Sequence, residues 1–265
     1  FFLASALHES HDLPRVILTS VLAGIHVLIL VASRDLGSAL IFFIVYVMMV
    51  FIATGRWIYL LLGCAGGSGA AVLAYRFFSH VQVRVQAWKD PFSCIDDAGY
   101  QITQSLFAIS SGGWFGLGLF RGTPASIPFV EADFVFSAVA EELGILFSMC
   151  MILVCLSCFI MFMDISVRLQ DKFYRLIAFG LGVTYIFQVF LTVGGGTKFI
   201  PMTGVTLPFI SYGGSSVLTT LVMFFIIEGL FIIRQEEGAK RVKRKKRRQR
   251  IQRQRRREES EEEEE

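Results

Sequence analysis

The most regular feature of the sequence is a series of long apolar stretches that lack Asp, Glu, Lys and Arg. They cover residues 16–33, 36–55, 57–75, 143–163, 176–197 and 199–227. Each reaches or exceeds the roughly 18 residues that a helix needs to cross a hydrocarbon core about 30 Å thick. The pattern therefore predicts an all-α polytopic membrane protein with six full transmembrane helices.

Composition agrees with this prediction and adds an expectation about the N-terminus. The 265 residues are 54% hydrophobic, with a mean hydropathy of +0.60. Residues 1–8, FFLASALH, resemble the end of a further helix and carry no initiator Met or charged leader. We therefore expect part of a seventh helix here, in a chain that is a piece of a longer protein.

Charge is concentrated at the C-terminus, although the net charge is only +3. Fourteen of the 25 Lys and Arg residues lie between Arg234 and Arg257, and EESEEEEE closes the chain. Such blocks predict a charged, disordered tail over 238–265. Its basic part suits an anionic membrane surface, at about 1 kcal/mol per residue. We do not expect nucleic-acid binding, since the tail has no aromatic residue to stack on bases.

The positions of the cations also predict the orientation in the membrane. Arg56, the basic loop 164–175 and the tail should lie on the cytoplasmic side, because short cytoplasmic loops are enriched in Lys and Arg. Alternation of the helices then places 77–133 and 198–210 on the extracytoplasmic side.

Two stretches between the predicted helices are unusual. The outer loop 77–133, between the third and fourth full helices, is rich in aromatic residues and glycines, which predicts short amphipathic helices on the outer membrane surface. Residues 194–216, GGGTKFIPMTGVTLPFISYGGSS, interrupt any continuous helix. Because irregular backbone at membrane depth must be buried in protein or line a cavity, we predict a re-entrant segment there. An ordinary apolar loop is the alternative.

Three carboxylates near the start of the fourth helix are candidates for chemistry. Asp133 falls at the boundary between the outer loop and the helix, where partial desolvation would raise its pKa and improve it as a base. A helix cap is an equally good interpretation of Asp133 from its position alone. Glu141 and Glu142 lie two turns deeper, where acids normally face a cavity or a cation.

Four cations share the predicted outer side with Asp133: Arg84, Lys89, Arg121 and Lys198. An enzyme that acts on a phosphate-linked lipid needs a base together with cations that hold the leaving phosphates. Outer loops commonly carry scattered charge, so this pattern alone is weak evidence.

Five motifs taken together resemble the SEDS family, which comprises proteins of the RodA, FtsW and SpoVE type. In order, they read RDLGSAL, RVQAWKDPF, GYQITQSLFAISSGGWFGLGL, EADFVFSAVAEELG and FIPMTGVTLPFISYGGSS. The resemblance covers the chain to about residue 234 and implies a membrane domain over 1–237. One departure is Arg34, which stands where the family usually has proline before DLG.

The resemblance implies a fold of ten membrane helices and an activity, polymerisation of lipid II into peptidoglycan glycan strands. The family's essential aspartate corresponds to Asp133, which would be the base of a single, inverting displacement. Arg84 would contact phosphate, and Lys198 lies near the re-entrant segment at a position where the family does not always carry lysine. Glu131 would orient the base, and Glu142 would organise the cavity beneath it.

The resemblance also implies partners and a location. We expect lipid II as substrate, together with a class B penicillin-binding protein and membrane proteins of the division or elongation machinery, in the bacterial inner membrane. No cluster of ligands predicts a metal site, and a divalent cation that bridges the pyrophosphate stays open. A lipid flippase and a non-catalytic scaffold are the alternative functions. The motifs do not distinguish division, elongation and sporulation.

Overall fold

The computed structural model describes residues 1–9 and 13–262, and these residues form helices and loops without a β-strand. The helices, which we number in chain order, are α1 (Phe2–Glu9), α2 (Leu13–Ala32), α3 (Leu36–Thr54), α4 (Trp57–Phe77), α5 (Ser79–Lys89), α6 (Tyr100–Gly112), α7 (Val135–Arg168), α8 (Lys172–Gly196) and α9 (Gly214–Glu262). Two short 3-10 turns, Pro91–Cys94 and Pro124–Ser126, lie between α5 and α7.

Six helices in this described part of the chain are long and apolar enough to cross a membrane, namely α2, α3, α4, α7, α8 and the first part of α9. This confirms the predicted all-α polytopic membrane protein. Two helix starts differ from the charge-free stretches. The fourth span begins at Val135 rather than at residue 143, because Glu141 and Glu142 lie inside the helix. The sixth begins at Gly214, after the irregular segment.

The centre of the molecule is formed where α7, α8 and α9 meet. Phe162 of α7, Tyr185 of α8 and Phe224 of α9 form a triangle of aromatic rings, with centroids 5.0 to 5.7 Å apart and tilted or edge-on geometry. Phe162 is fully buried, and α8 carries more buried residues than any other helix. By contrast, no residue of α4 is buried within the described chain.

The predicted outer loop contains the expected short helices, but α6 does not lie flat across the end of the bundle. It runs beside α7 in the same direction. Ser105 contacts Ser137 near the start of both helices, and Gly113 accepts a hydrogen bond from Ile145 farther along. Gly112 allows the close approach, since a Cβ atom there would collide with the Ala140 carbonyl oxygen. The prediction of surface helices therefore does not describe α6.

The segment predicted to be irregular, 194–216, is helical only at its two ends, and residues 197–213 between them are not helical. Side chains and neighbouring backbone form hydrogen bonds with several polar groups of this loop. Thr192 of α8 donates its hydroxyl to the Val205 carbonyl at 2.8 Å. Ser211 accepts from the Leu207 N–H and donates to the Ala132 carbonyl. The loop is thereby tied to the end of the 77–133 segment.

The tail differs from its prediction where it is described. Helix α9 continues to Glu262, whereas the charge blocks predicted disorder from residue 238. Lys, Arg, Glu and Gln are good helix formers, so a strongly charged sequence is compatible with a helix when opposite charges can pair. Lys240 and Glu236 make one such pair, at 3.7 Å. Residues 263–265 lie outside the described residues.

Candidate active site

Asp133 lies in the turn that leads from the outer segment into α7, as its sequence position predicted. Phe129, in the left-handed region with φ 57°, starts this turn, and its carbonyl accepts the Asp133 N–H at 3.2 Å. The N-cap of α7 is Phe134, and no side chain caps the helix. The cap interpretation of Asp133 is therefore wrong. Within the described residues, the Asp133 carboxylate accepts no hydrogen bond.

The environment of Asp133 changes its affinity for a proton. The side chain is half-buried, and this burial raises the pKa of the Asp133 carboxyl above its usual value, while the positive charge of Arg84 acts in the opposite direction. The raised pKa outside the membrane-spanning helices agrees with the expectation from sequence. A carboxylate in this state is a stronger proton acceptor than one in water.

Arg84 reaches the site from α5 and connects it to the irregular loop. Its Nη1 lies 3.4 Å from the carbonyl oxygens of both Met202 and Thr203. The next residue, Gly204, adopts φ 77°, and a Cβ atom there would lie 3.5 Å from Asp133 Oδ2. Residues 202–204, MTG, therefore lie between Asp133 and Arg84, with two carbonyls on the arginine and Gly204 beside the carboxylate.

A small cavity lies beside Arg84, lined by residues of α5, α6 and the irregular loop. Its volume is about 250 Å³, and its lining includes Arg84, Trp88, Gln101 and Met202. The guanidinium has five N–H donors, and its hydrogen bonds to the described residues use only Nη1. Arg84 can therefore hold the loop and still present donors to a ligand.

Lys198 does not join Asp133 and Arg84 through any contact in the described structure. It is half-buried, has φ 60°, and uses its carbonyl to accept the Trp88 indole N–H at 3.1 Å. Lys198 thus ties the turn after α8 to α5. Trp88 follows Arg84 by one helical turn, so the contact lies on the same helix as Arg84. Its ammonium group makes no ion pair with a described residue.

Glu131 is exposed, and its carboxylate makes no hydrogen bond or ion pair among the described residues. Its backbone carbonyl accepts the Tyr212 N–H at 2.7 Å. Together with the bond from Ser211 to Ala132, this contact fixes the segment before Asp133 to the loop before α9. The backbone of Glu131 therefore fixes its position, and its side chain is exposed.

Glu141 and Glu142 hold the part of the outer segment that returns toward Asp133. Glu141 Oε1 accepts the Thr123 N–H at 3.0 Å, and Glu142 Oε1 accepts the Phe120 N–H at 3.2 Å. Their backbone carbonyls accept the N–H groups of Leu117 and Gly118. Sequence reasoning predicted that these acids face a cavity or a cation, and Glu141 does line a cavity that it shares with Arg121. The carboxylates of both glutamates also accept backbone N–H groups.

A break in α7 creates the space for these contacts. Gly144 has φ 84° and ψ 170°, and the helix resumes after it. Because residues beyond the break cannot bond back in the usual way, the N–H groups of Ile145 and Leu146 donate to the carbonyls of Gly113 and Trp114. Sequence analysis missed this break, and its only signal was the glycine that follows the two glutamates.

The remaining predicted cations are peripheral. Lys89 is exposed at the end of α5. Arg121 is exposed and lines a cavity of about 270 Å³ together with Glu141. No group of three or more His, Cys, Asp or Glu side chains in residues 1–9 and 13–262 is arranged to hold a metal ion.

Comparison with known proteins gives a consistent family match. A family model of cell cycle proteins, which covers FtsW, RodA and SpoVE, matches residues 1–236. The peptidoglycan glycosyltransferase RodA of Mycobacterium tuberculosis (strain ATCC 25618 / H37Rv) is 38% identical over 199 residues, which is 75% of this chain and 42% of that protein. The probable peptidoglycan glycosyltransferase FtsW of Neisseria gonorrhoeae (strain NCCP11945) is 33% identical over 221 residues, 80% of this chain and 47% of that protein.

A solved structure has the same fold. It is the structure of a peptidoglycan synthase complex that coordinates polymerization and crosslinking. One of its chains superposes on this chain with a TM-score of 0.70 at 26% identity. The superposition covers 85% of this chain and 65% of that one. The chain spans about half the length of the curated relatives that it matches.

Proposed function

The chain belongs to the FtsW, RodA and SpoVE family of cell cycle proteins, and from that membership we propose that it carries the reaction centre of a peptidoglycan glycosyltransferase. The substrate would be lipid II, which the enzyme joins into glycan strands. Curated relatives at 33–38% identity carry this activity in their names. The observation that carries the proposal is Asp133, a half-buried carboxylate without a hydrogen bond from a described residue, beside Arg84.

Asp133 is the base in the proposed reaction. Its carboxylate takes the proton from the C4 hydroxyl of the acceptor GlcNAc, and the resulting oxygen attacks C1 of the donor MurNAc. The bond from C1 to undecaprenyl pyrophosphate breaks, and the pyrophosphate carries away the electron pair. One displacement turns the α linkage of the donor into a β linkage, so a single base is sufficient and no covalent intermediate forms.

Arg84 is the cation that we assign to the leaving pyrophosphate. Charge develops on the phosphate oxygens as the bond breaks, and a guanidinium already fixed in place stabilises that charge without reorganisation. The contacts of Nη1 with the carbonyls of Met202 and Thr203 fix it. The cavity beside Arg84 leaves room for a ligand oxygen. A divalent cation that bridges the pyrophosphate is compatible with this scheme.

Glu131, Glu142 and Lys198 have supporting roles in this proposal. Glu131 and Glu142 position the two ends of the segment that leads into Asp133, one through its backbone carbonyl and the other through its carboxylate. Lys198 places Trp88 and thereby the helix that bears Arg84.

We further propose a class B penicillin-binding protein as partner. The chain resembles part of a peptidoglycan synthase complex that coordinates polymerization and crosslinking. Polymerised strands need a second activity to crosslink them, and division or elongation proteins would bring the two together. The proposed location is the bacterial inner membrane, with the Asp133 side extracytoplasmic and the basic end of α9 cytoplasmic, as the distribution of cations predicts.

The test uses the full-length protein, purified with its penicillin-binding partner and supplied with labelled lipid II. Wild type, Asp133→Asn and Glu131→Gln are compared by the length of the glycan strands they make. Glu131→Gln is the matched control, because it removes a carboxylate two residues away and keeps the backbone contact with Tyr212.

We expect strands from wild type and from Glu131→Gln, and none from a folded Asp133→Asn protein. Equal product from Asp133→Asn and wild type would remove Asp133 from the mechanism. If wild type itself makes no polymer, a flippase or a non-catalytic scaffold is the better account.

A further inference from the structure

Two cavities follow one another between α7 and α9, an apolar one and a cationic one, and we refer to them as the two halves of one groove. The apolar half has a volume of about 330 Å³ and is lined by Phe162, Ile165, Leu221, Phe224 and Phe225, among others. The cationic half has a volume of about 560 Å³, and its lining includes Arg168, Arg234 and Arg241.

The two halves follow one another along the same pair of helices. The α7 residues of the apolar half end at Ile165 and those of the cationic half begin at Val167. On α9, the corresponding residues are Phe231 and Arg234. At most about one helical turn therefore separates the apolar wall from the charged one on both helices.

Two of the three arginines are held in place by the protein itself. Asp164 accepts from Arg168 Nε at 2.6 Å and from Arg234 Nη1 at 3.0 Å. The Arg234 guanidinium also lies 5.6 Å from the centre of the Phe231 ring. One carboxylate thus orients two guanidinium groups, and it balances only one of their two charges.

The third arginine is unbalanced. Arg241 makes no ion pair with any described residue. The acid nearest to it in sequence within the lining, Glu237, uses its Oε2 to accept the Gln170 N–H at 2.8 Å. The hydrogen bond leaves Glu237 charged, so three arginines face the two carboxylates of Asp164 and Glu237, and the mouth of the groove carries a net charge of +1.

We propose that this groove binds an anionic glycerophospholipid, with the headgroup phosphate on the arginines and one acyl chain along the aromatic wall. An apolar channel that ends in preset guanidinium groups matches a molecule with a hydrocarbon chain and a phosphate at its end. Arginine recognises phosphate by paired N–H donors in a fixed fork, which fits a bound headgroup better than diffuse attraction to a charged surface.

One feature of the apolar half discriminates between headgroups. Glu228 is exposed in that half and has no partner among the described residues. A zwitterionic lipid with an ammonium group could use Glu228 or Glu237, whereas phosphatidylglycerol would depend on the arginines alone. The positive excess at the mouth favours phosphatidylglycerol.

The test places the full chain in nanodiscs with equal amounts of phosphatidylglycerol, phosphatidylethanolamine and phosphatidylcholine, and counts retained lipids by native mass spectrometry. The variants are Arg241→Gln, the pair Arg234→Gln with Arg241→Gln, and Leu221→Trp, which fills the apolar half. The matched control is Lys240→Gln with Lys243→Gln, which removes the same charge from the same part of α9, from residues outside the groove lining.

We expect wild type to retain phosphatidylglycerol at least about tenfold over the other two lipids. A hydrogen bond to a charged group accounts for about a tenfold change in binding, so Arg241→Gln should lose about tenfold and the arginine pair about 100-fold. The lysine pair should lose less than about fivefold. Leu221→Trp should lose phosphatidylglycerol although all charges remain.

Three outcomes would overturn the proposal. Equal losses from the arginine and lysine pairs would assign the binding to the general charge of the basic helix. Equal retention of phosphatidylethanolamine and phosphatidylglycerol would exclude an anionic site. Unchanged retention in Leu221→Trp would exclude the acyl chain from the groove. Arg241→Gln keeps the test independent of folding, because that side chain makes no ion pair with a described residue.

Discussion

Two groups of carboxylates lie within twelve residues of one another and are used in opposite ways. Asp133 is half-buried, accepts no hydrogen bond from a described residue and is adjacent to a positive charge. Glu141 and Glu142 each accept a backbone N–H from the outer segment. The same functional group therefore acts as a free acceptor in one place and as a structural anchor in the other.

The difference teaches how such a site can be recognised. A carboxylate whose oxygens accept hydrogen bonds from the protein is a weaker base, because these bonds stabilise its charged form. One that is desolvated without a donor retains its basicity for a substrate proton. Burial alone does not distinguish the two groups, since Glu141 is more deeply buried than Asp133. The difference is that Glu141 Oε1 accepts a backbone N–H, although its Oε2 is buried without a partner among the described residues, whereas neither oxygen of Asp133 accepts a hydrogen bond from a described residue.

Asp133→Asn should separate activity from stability more sharply than any other change. In the proposed reaction Asp133 is the base, so this change should reduce strand synthesis about 10²- to 10⁴-fold. Thermal stability at neutral pH should stay the same or rise. Burial raises the folded-state pKa of Asp133, so ionisation above its unfolded pKa costs folding free energy, and the neutral amide avoids that cost. A melting curve in detergent checks this, and a large drop in melting temperature would show a structural role.

Gly144→Ala should have the reverse effect, a large loss of stability at a residue outside the chemistry. The added Cβ would lie 2.5 Å from the Trp114 carbonyl oxygen and would collide with the Gly116 nitrogen, at φ 84°. We expect a cost above about 3 kcal/mol. Gly66→Ala in α4 is the control, because nothing lies within 4 Å of the added atom and alanine favours a helix. A Gly144→Ala protein as stable as wild type would mean that the break is not rigid.

The sequence predicted the membrane spans more directly than either group of carboxylates. Charge-free stretches located six spans. The boundary position of Asp133 suited a helix cap equally well, and only the resemblance of EADF to the family motif pointed to it. The anchors were harder to recognise, because a hydrogen bond from Phe120 or Thr123 depends on how the outer segment folds back. The local pattern also does not predict that α6 runs beside α7. The close approach depends on small residues such as Ser105 and Gly112, which occur in many apolar helices and do not identify the helix that they contact.

The partner of Asp133 shows the same limit. Arg84 lies 49 positions earlier in the chain and is held by carbonyls about 120 positions later. Position alone made Lys89 and Lys198 as suitable as Arg84, and only the resemblance to the family assigned Arg84 to phosphate contact. The tertiary fold adds that the charge of Arg84 lowers the pKa of Asp133.

Arg84→Gln tests the role of Asp133 through the pH dependence of the rate. Loss of a contact that stabilises the charge developing on the leaving phosphate should lower the rate about 10²-fold. Arg84 also lowers the pKa of Asp133, so its removal should raise that pKa and move the acid limb of the pH–rate profile to higher pH. Lys89→Gln removes an exposed cation from the same helix and should leave the profile unchanged. A limb that moves to lower pH in Arg84→Gln would contradict the assignment of Asp133 as the titrating base.

Glu141→Gln should have the smallest effect and is the closest chemical match to Asp133→Asn. Both changes replace a carboxylate with an amide of the same shape. The amide oxygen of the substituted side chain can still accept the Thr123 N–H, so stability should change by no more than about 1 kcal/mol and the rate by less than about threefold. Glu141→Ala would leave that N–H without its acceptor and should cost about 2 kcal/mol. If folded Glu141→Gln protein loses strand synthesis as completely as Asp133→Asn, the charge of Glu141 takes part in the reaction, and the division between free base and structural anchor fails.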